Sequence, residues 1–282
     1  IWRNLGLTHG VHLRRIHYKV ISQAEPILKP NGEPYQNTDN DWTTLNNASK
    51  AARYLGLIPV DALADHRNKP VEVYAQHGSD RDPTVKLEEE APAVPDLRFP
   101  DLPELRLKNF QAEQDYLVEV IVEKSTFGDV LTPLAQKLRF NVLLGTGEVS
   151  EIACRNLIER ARQSGKPVRI VYLSDFDPSG RSMPVSAARK IEYWLREWEL
   201  NLDIQLQPLA LTEAQCIDLG LPRTPLKAGE KRAKAWNDRF GAGATELDAL
   251  EAIHPGHLAR LVEDEVTRWI DPTLEQRVLA ES

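Results

Sequence analysis

The sequence predicts an α/β protein whose main domain is a parallel β-sheet with helices on both faces. Two observations support this fold class. From Asp115 onwards, short apolar runs alternate with segments of 10–15 residues that have helical periodicity. One of these runs, Val168–Leu173, is β-branched and aromatic, and Pro178 and Gly180 prevent it from continuing as a strand. Strands and helices that alternate along a chain indicate crossover connections and hence a parallel sheet.

The alternating region covers residues 113–220 and contains four predicted strands. Right-handed crossovers place the carboxyl ends of parallel strands at one edge of the sheet, and ligands of such sheets bind there. The predicted strands are Tyr116–Val122, Phe140–Leu144, Val168–Leu173 and Ile204–Leu209, and the predicted helices are Gly128–Leu138, Val149–Gln163 and Arg181–Trp198.

The regions around this domain differ from it in character. Residues 1–75 predict helices at Val11–Ser22 and Trp42–Leu55, the second capped by Asn40 or Asp41 and ended by Gly56. With the loosely alternating segment that follows, they suggest a small winged-helix-like, DNA-binding domain. Residues 76–112 hold five prolines and an acidic run, which is typical of a linker. Residues 221–282 predict a helical C-terminal extension, with helices near Lys231–Phe240 and His257–Trp269 after one at Thr212–Leu219.

Composition limits the classes of protein. The 282 residues suffice for two modest domains, and the net charge of −7 argues against a surface covered by nucleic acid, although a local basic groove is compatible with it. The two cysteines, Cys154 and Cys216, predict no disulfide framework, which favours a cytoplasmic protein. No apolar run approaches the ~18 residues of a membrane span, so no membrane association is expected.

Acidic residues follow two of the predicted strands. Asp175 and Asp177 come directly after Val168–Leu173 and, being two residues apart in an extended chain, point to the same side. Glu123 ends the first strand at the same edge of the sheet. Carboxylate oxygens are the ligands that Mg²⁺ prefers, so these three side chains are candidate metal ligands. Lys124 adjoins them and could neutralise a phosphate.

These motifs resemble the Toprim domain of topoisomerases, primases and nucleases. The resemblance lies in the strand that ends in Glu, the segment L-L-G-T-G at Leu143–Gly147, and S-D-F-D-P-S-G at residues 174–180. The last of these is closest to the A subunit of DNA topoisomerase VI and the related meiotic double-strand-break transesterase. The extension is also similar to stand-alone bacterial or phage-type Toprim proteins. The resemblance implies that Glu123, Asp175 and Asp177 bind Mg²⁺ and take part in DNA cleavage.

That family places a winged-helix domain before the Toprim domain, with a tyrosine that attacks the DNA. Here the corresponding segment is Arg14-Arg15-Ile16-His17-Tyr18. By resemblance Tyr18 is the nucleophile, and Arg14 and Arg15 are DNA-binding residues. A Toprim nuclease would instead use a metal-activated water. The resemblance also implies a homodimer and a separately encoded ATPase subunit.

Several other interpretations of the same residues remain open. Tyr18 lies near the apolar positions of its helix and could be a buried core residue. Asp177, followed by Pro178, could cap the next helix. The turn Gly145–Gly147 resembles a truncated dinucleotide-binding motif, although a turn that needs positive φ explains it better. The domain could also be a DNA- or protein-binding module with a remnant Toprim site.

Overall fold

The chain divides into two compact units, residues 1–69 with 150–154 and residues 70–149 with 155–282. The structure is a computed structural model that describes residues 2, 5, 7, 11, 13–63, 71–75, 84–88, 104–108 and 112–281. Within these ranges no helix combines the length and the apolar character needed to cross a membrane.

The first unit is built on two helices, α1 (Leu13–Ile21) and α2 (Asp39–Tyr54). Both were predicted, with ends that differ by one to three residues. Extended backbone in this unit pairs through isolated bridges, one of which joins Val11 to Leu63. The small core of the unit contains Leu5, Val11, Ile16, Val20, Tyr35 and Leu63.

The beginning of α2 differs from the prediction. Thr38 is the N-cap, because its side-chain oxygen accepts a hydrogen bond from the backbone N–H of Asp41 at 3.2 Å. Asp41 is buried instead and accepts hydrogen bonds from Gln36 N and Lys29 Nζ, both at 2.8 Å. Gly56 follows the helix with φ +64°, as predicted for a residue just past a C-terminus.

The stretch predicted as a linker contains two short strands. β1 (Thr84–Glu88) pairs antiparallel with β2 (Glu104–Lys108). Their sequences, T-V-K-L-E and E-L-R-L-K, alternate apolar and polar residues, which is the period of a strand. The prediction of a linker relied on the prolines of the region and did not use this alternation. The rest of the linker, residues 76–83, 89–103 and 109–111, lies outside the described residues.

The second unit contains a four-stranded, entirely parallel sheet, which confirms the predicted α/β class. The strand order is β4–β3–β5–β6. The strands are β3 (Leu117–Val122), β4 (Asn141–Leu144), β5 (Val168–Leu173) and β6 (Ile204–Ala210), connected by α3 (Gly128–Leu138), α4 (Glu151–Ser164) and α5 (Met183–Glu197).

The C-terminal extension is helical, as predicted, and has two more helices than the sequence indicated. Leu247–Ile253 and Leu274–Glu281 were not predicted. The helices after β6 are α6 (Glu213–Asp218), which precedes the extension, and α7 (Ala233–Phe240), α8 (Leu247–Ile253), α9 (His257–Val266) and α10 (Leu274–Glu281) within it.

Both faces of the sheet are covered, since every residue of β3 and β5 is buried. On one face Val118, Val120 and Val122 belong to a core cluster that includes residues of α3, α8 and α9. The alternate residue Glu119 faces the other way, where Arg160 of α4 donates two hydrogen bonds to its carboxylate at 2.8 Å each. The central strands are therefore held between two helical layers.

Candidate functional site

Glu123 and Asp175 meet at the carboxyl edge of the sheet. Val122 of β3 pairs in register with Leu173 of β5, so the residues that follow them are neighbours. The Glu123 N–H donates to Leu173 O at 2.9 Å, and the Asp175 N–H donates to Glu123 Oε2 at 3.0 Å. The structure thus brings together the two acids that the sequence placed at one edge.

Asp175 is buried and each of its carboxylate oxygens has a partner. Oδ1 accepts a hydrogen bond from the backbone N–H of Leu247, at 2.8 Å, and Oδ2 lies 3.1 Å from Lys124 Nζ. Burial raises the pKa of Asp175 above its ordinary value, and it outweighs the opposing effects of the Leu247 N–H and the Lys124 ammonium. The charge of Asp177 adds to the rise.

Glu123 has the same electrostatic character. Burial raises the pKa of Glu123, and the charges of Asp175 and Asp177 raise it further, against the hydrogen bond from the Asp175 N–H. Two adjacent buried carboxyls therefore favour their protonated forms more than free carboxyls do, and a cation brought to this edge would reverse that preference.

Asp177 closes the loop that follows β5. Its Oδ1 accepts a hydrogen bond from the N–H of Gly180. The alternative that Asp177 acts as a cap holds for the turn before α5, because the Arg181 N–H also donates to Asp177 O at 3.1 Å, although α5 itself begins only at Met183 after Ser182. A Cβ on Gly180 would lie 2.1 Å from the carbonyl oxygen of Asp175, so the loop can fold back on itself only with glycine at this position.

The ammonium group of Lys124 lies among three carboxylates. Besides Asp175 it contacts Glu246 Oε2 at 3.0 Å and Asp248 Oδ2 at 2.6 Å. Burial opposes its charge, but the carboxylates of Asp248, Glu246 and Asp175 prevail and raise the pKa of Lys124. Lys124, predicted as a phosphate contact, is instead held by carboxylates in this structure.

Sequence reasoning missed Glu246 and Asp248. They lie about seventy residues after the D-F-D-P-S-G loop, in the extension, and an antiparallel bridge between Phe176 and Thr245 brings them to it. The backbone N–H of Phe176 donates to Thr245 O at 2.8 Å. The only sequence signal was E-L-D at residues 246–248, two more carboxylates spaced two apart.

The backbone N–H groups of the glycine turn after β4 bind the backbone next to Glu123 and are not arranged to bind a nucleotide. The N–H of Gly145 donates to Val122 O at 2.8 Å and that of Gly147 to Glu123 O at 2.9 Å. Gly147 has φ +112°, as the turn interpretation predicted. Because these two donors are bonded to protein carbonyls, they are not available to bind a phosphate.

The carboxylates of Glu123, Asp175 and Asp177 are not arranged as a metal centre in this structure. In the described part of the chain no group of three or more His, Cys, Asp or Glu side chains is placed to hold a metal ion. The contacts explain why: both oxygens of Asp175 are engaged, and a lysine ammonium supplies positive charge beside them. The donor atoms are those that suit Mg²⁺, but Lys124 has to release Asp175 before that oxygen can serve an ion.

Tyr18 lies in the first unit, on the exposed side of α1. Its side chain is 54% exposed, so the alternative that it is a core residue is wrong. It is two positions from both Ile16 and Val20, and two helical positions are about 200° apart, which puts it on the opposite face. His17 is the buried neighbour, with Nδ1 2.7 Å from the Tyr35 hydroxyl oxygen. The side chains of Arg14 and Arg15 lie outside the described residues.

Comparison with known proteins adds no family to this description. No protein-family model matches the chain, and no curated protein matches it either.

Proposed function

We propose that the chain is a Mg²⁺-dependent DNA-cleaving protein of Toprim type, with a winged-helix-like N-terminal region. The observation that carries the proposal is the pair of buried carboxyls, Glu123 and Asp175, at the ends of adjacent parallel strands, where the backbone N–H of Asp175 donates to Glu123 Oε2. Buried carboxyls with raised pKa at a ligand-binding edge are typical of functional sites, because isolated burial of this kind costs stability.

The residues that would hold the ion are Glu123, Asp175 and Asp177. A Mg²⁺ ion bound there would polarise a phosphodiester and stabilise the oxygen that leaves. The Gly180 turn fixes Asp177, and the backbone N–H of Leu247 orients Asp175, so both carboxylates are positioned by the protein. The role of Lys124 in this proposal is to balance the carboxylate charge before the ion binds.

We consider two nucleophiles for the cleavage. Tyr18 is exposed and can form a phosphotyrosyl bond by attack of its hydroxyl on phosphorus, with loss of a DNA hydroxyl as leaving group. A water molecule can instead hydrolyse the strand. We further propose a homodimer, as in topoisomerase VI, that works with a separately encoded ATPase.

Cleavage of supercoiled plasmid by the full chain tests the proposal. With Mg²⁺ we expect nicked or linear product, and with EDTA none. Asp175→Asn should abolish cleavage, whereas Asp129→Asn, an exposed aspartate in the first turn of α3, should not. Plasmid that stays intact with Mg²⁺ overturns the proposal. If Tyr18→Phe still cleaves at the wild-type rate, the nucleophile is water, and if it leaves only uncleaved plasmid, the nucleophile is Tyr18.

A non-catalytic DNA- or protein-binding module is the second candidate, and the Lys124 contacts favour it. A built-in ammonium already compensates Asp175, Glu246 and Asp248, as expected of a site that no longer takes a metal. Such a module binds DNA equally well with Mg²⁺ and with EDTA, which the same samples can measure.

A further inference from the structure

We propose that residues 223–239 form a docking surface for the sugar-phosphate backbone of DNA, next to the loop that carries Asp175 and Asp177. The proposal rests on the proposed function and names where this unit holds its substrate. Residues 221–240 contain six Lys and Arg but only two Asp and Glu, in a chain whose net charge is −7. The segment therefore has the opposite charge to the protein as a whole.

The lysines of this segment are exposed, although the charge of Lys227, after that of Arg232, contributes to the lowered pKa of Glu230. Lys227, Lys231 and Lys234 are exposed, and none of them forms a salt bridge with any carboxylate in the described ranges. Several exposed cations elsewhere in the same unit are paired, including Lys137 with Glu263 at 2.7 Å, Arg162 with Glu159 at 2.7 Å and Arg268 with Glu265 at 2.8 Å. Three exposed lysines without a salt bridge, within the eight residues from Lys227 to Lys234, indicate a surface that can pair with an external anion.

The segment is anchored to the carboxylate loop. Arg232 donates from its guanidinium to Pro178 O at 2.8 Å and to Ser179 Oγ at 2.8 Å, both in the loop after β5. On α7 the Trp236 ring packs against Phe176, with ring centroids 4.9 Å apart. Lys234, two helical positions before Trp236, lies about 200° round the helix and so on its outer side. The backbone that carries Lys231 and Lys234 is thus anchored beside the loop of Asp175 and Asp177.

The chemistry of the site explains the need for such a surface. Three carboxylates repel a polyanion, so a phosphodiester approaches them only if other groups supply attraction. Duplex DNA carries one charge for about every 1.7 Å of its axis, and lysines bind it by releasing condensed counterions. A lysine-rich segment held beside the acids supplies this attraction without reading the sequence of the DNA.

Salt-dependent binding of the full chain to DNA tests the surface. A labelled duplex of about 25 base pairs is titrated in EDTA, from about 50 to about 200 mM NaCl, with fluorescence anisotropy as readout. Each phosphate contact contributes about 0.9 to the slope of log K against log salt. The variant K227Q/K231Q/K234Q should lower this slope by about 2–3 and weaken binding at low salt at least about tenfold.

A matched variant separates the surface from total charge. K137Q/R162Q/R268Q removes the same three charges from ion-paired positions and should bind DNA as the wild type does. Equal losses in the two variants, or an unchanged slope in the first, would overturn the proposal. So would displacement of the duplex by polyglutamate as readily as by unlabelled DNA, because the surface would then fit an acidic protein.

The test separates this inference from the proposed function. Binding is measured in EDTA, where no cleavage is expected, and D175N should bind DNA at least as tightly as the wild type. If the slope falls as expected but no variant or condition cleaves DNA, the surface stands and the proposed function fails. If DNA is cleaved but the slope is unchanged, the proposed function stands and the surface fails.

Discussion

Replacing Lys124 by Gln should destabilise the second unit, and Mg²⁺ should reverse most of that loss. The change removes the ammonium that contacts Asp175, Glu246 and Asp248 while keeping a side chain of similar length. The three contacts differ in their energetic weight because the carboxylates differ in exposure.

The magnitude follows from that exposure. The side chains of Glu246 and Asp248 are 52% and 49% exposed, so each of those pairs contributes about 0–1 kcal/mol. The side chain of Asp175 is 8% exposed, and a buried charge that loses its partner costs about 3–5 kcal/mol. Asp175 keeps the Leu247 N–H and can take up a proton, so we expect a loss of about 3 kcal/mol at neutral pH. For a unit of about 200 residues this corresponds to a fall in Tm of roughly 6–12 °C.

Thermal unfolding with and without Mg²⁺ measures both effects. An ion at about one hundred times its Kd stabilises by about 2.7 kcal/mol, so saturating Mg²⁺ should restore most of the Tm of K124Q. The wild type should gain less, because Mg²⁺ has to displace Lys124 from Asp175. The matched variant K137Q, which breaks an exposed pair, should lose no more than about 1 kcal/mol. A Tm of K124Q that does not respond to Mg²⁺ would refute the reasoning.

Two further predictions concern buried charges elsewhere in the same unit. Arg160→Ala leaves Glu119, which is 1% exposed, without its cation. The free energy of unfolding, measured by urea denaturation, should fall by about 3–5 kcal/mol. Arg162→Ala breaks an exposed pair and should lower it by at most about 1 kcal/mol. Glu123→Gln should stabilise the protein at neutral pH. The pKa of Glu123 is raised in the folded state. The stability that its protonated carboxyl contributes is therefore complete below its ordinary pKa of 4.5 and is lost as the pH rises through its pKa in the folded protein.

The Glu123→Gln variant has no carboxyl to titrate and so does not lose this stability. Its free energy of unfolding relative to the wild type should therefore increase from acid to neutral pH, by about 1.4 kcal/mol for each tenfold change in proton affinity. Urea midpoints from about pH 4 to pH 8 give the curve. An advantage that is independent of pH would mean that the gain has another origin. Equal losses in Arg160→Ala and Arg162→Ala would show that the buried pair contributes no more than an exposed one.

The sheet was predictable because its signals are local. Val168–Leu173 and Leu117–Val122 are short apolar runs followed by polar or turn residues, and such runs identify strands without any knowledge of the fold. The hairpin of β1 and β2 has the same kind of signal, but the prolines around it obscured the alternation. α8 escaped prediction for a related reason: it has only seven residues, too few for its periodicity to be distinctive.

The candidate site was predictable only in part. Glu123 and Asp175 follow adjacent strands, so topology alone brings them together. Their contacts with Lys124 and Leu247 depend on where the extension docks, and no local pattern encodes a bridge between residues 176 and 245. Tyr18 shows an error of another kind. Its spacing of two residues from Ile16 was taken to favour a buried position, but residues two apart in a helix lie on opposite faces, and Tyr18 is exposed.

The balance of charge at this edge decides between the two candidate functions. Lys124 supplies one positive charge to three carboxylates and only partly compensates Glu123, whose pKa stays raised despite the lysine. If the site no longer bound a metal ion, replacing Glu123 by a neutral residue would stabilise the fold. Burial raises the pKa of Glu123, which shows that its ionised form is unfavourable there. Keeping that carboxyl imposes a cost on folding that a bound cation would offset. For this reason the response of K124Q to Mg²⁺ is the decisive measurement: a rise in Tm supports a site that exchanges its lysine for a metal ion, and no rise supports the binding module.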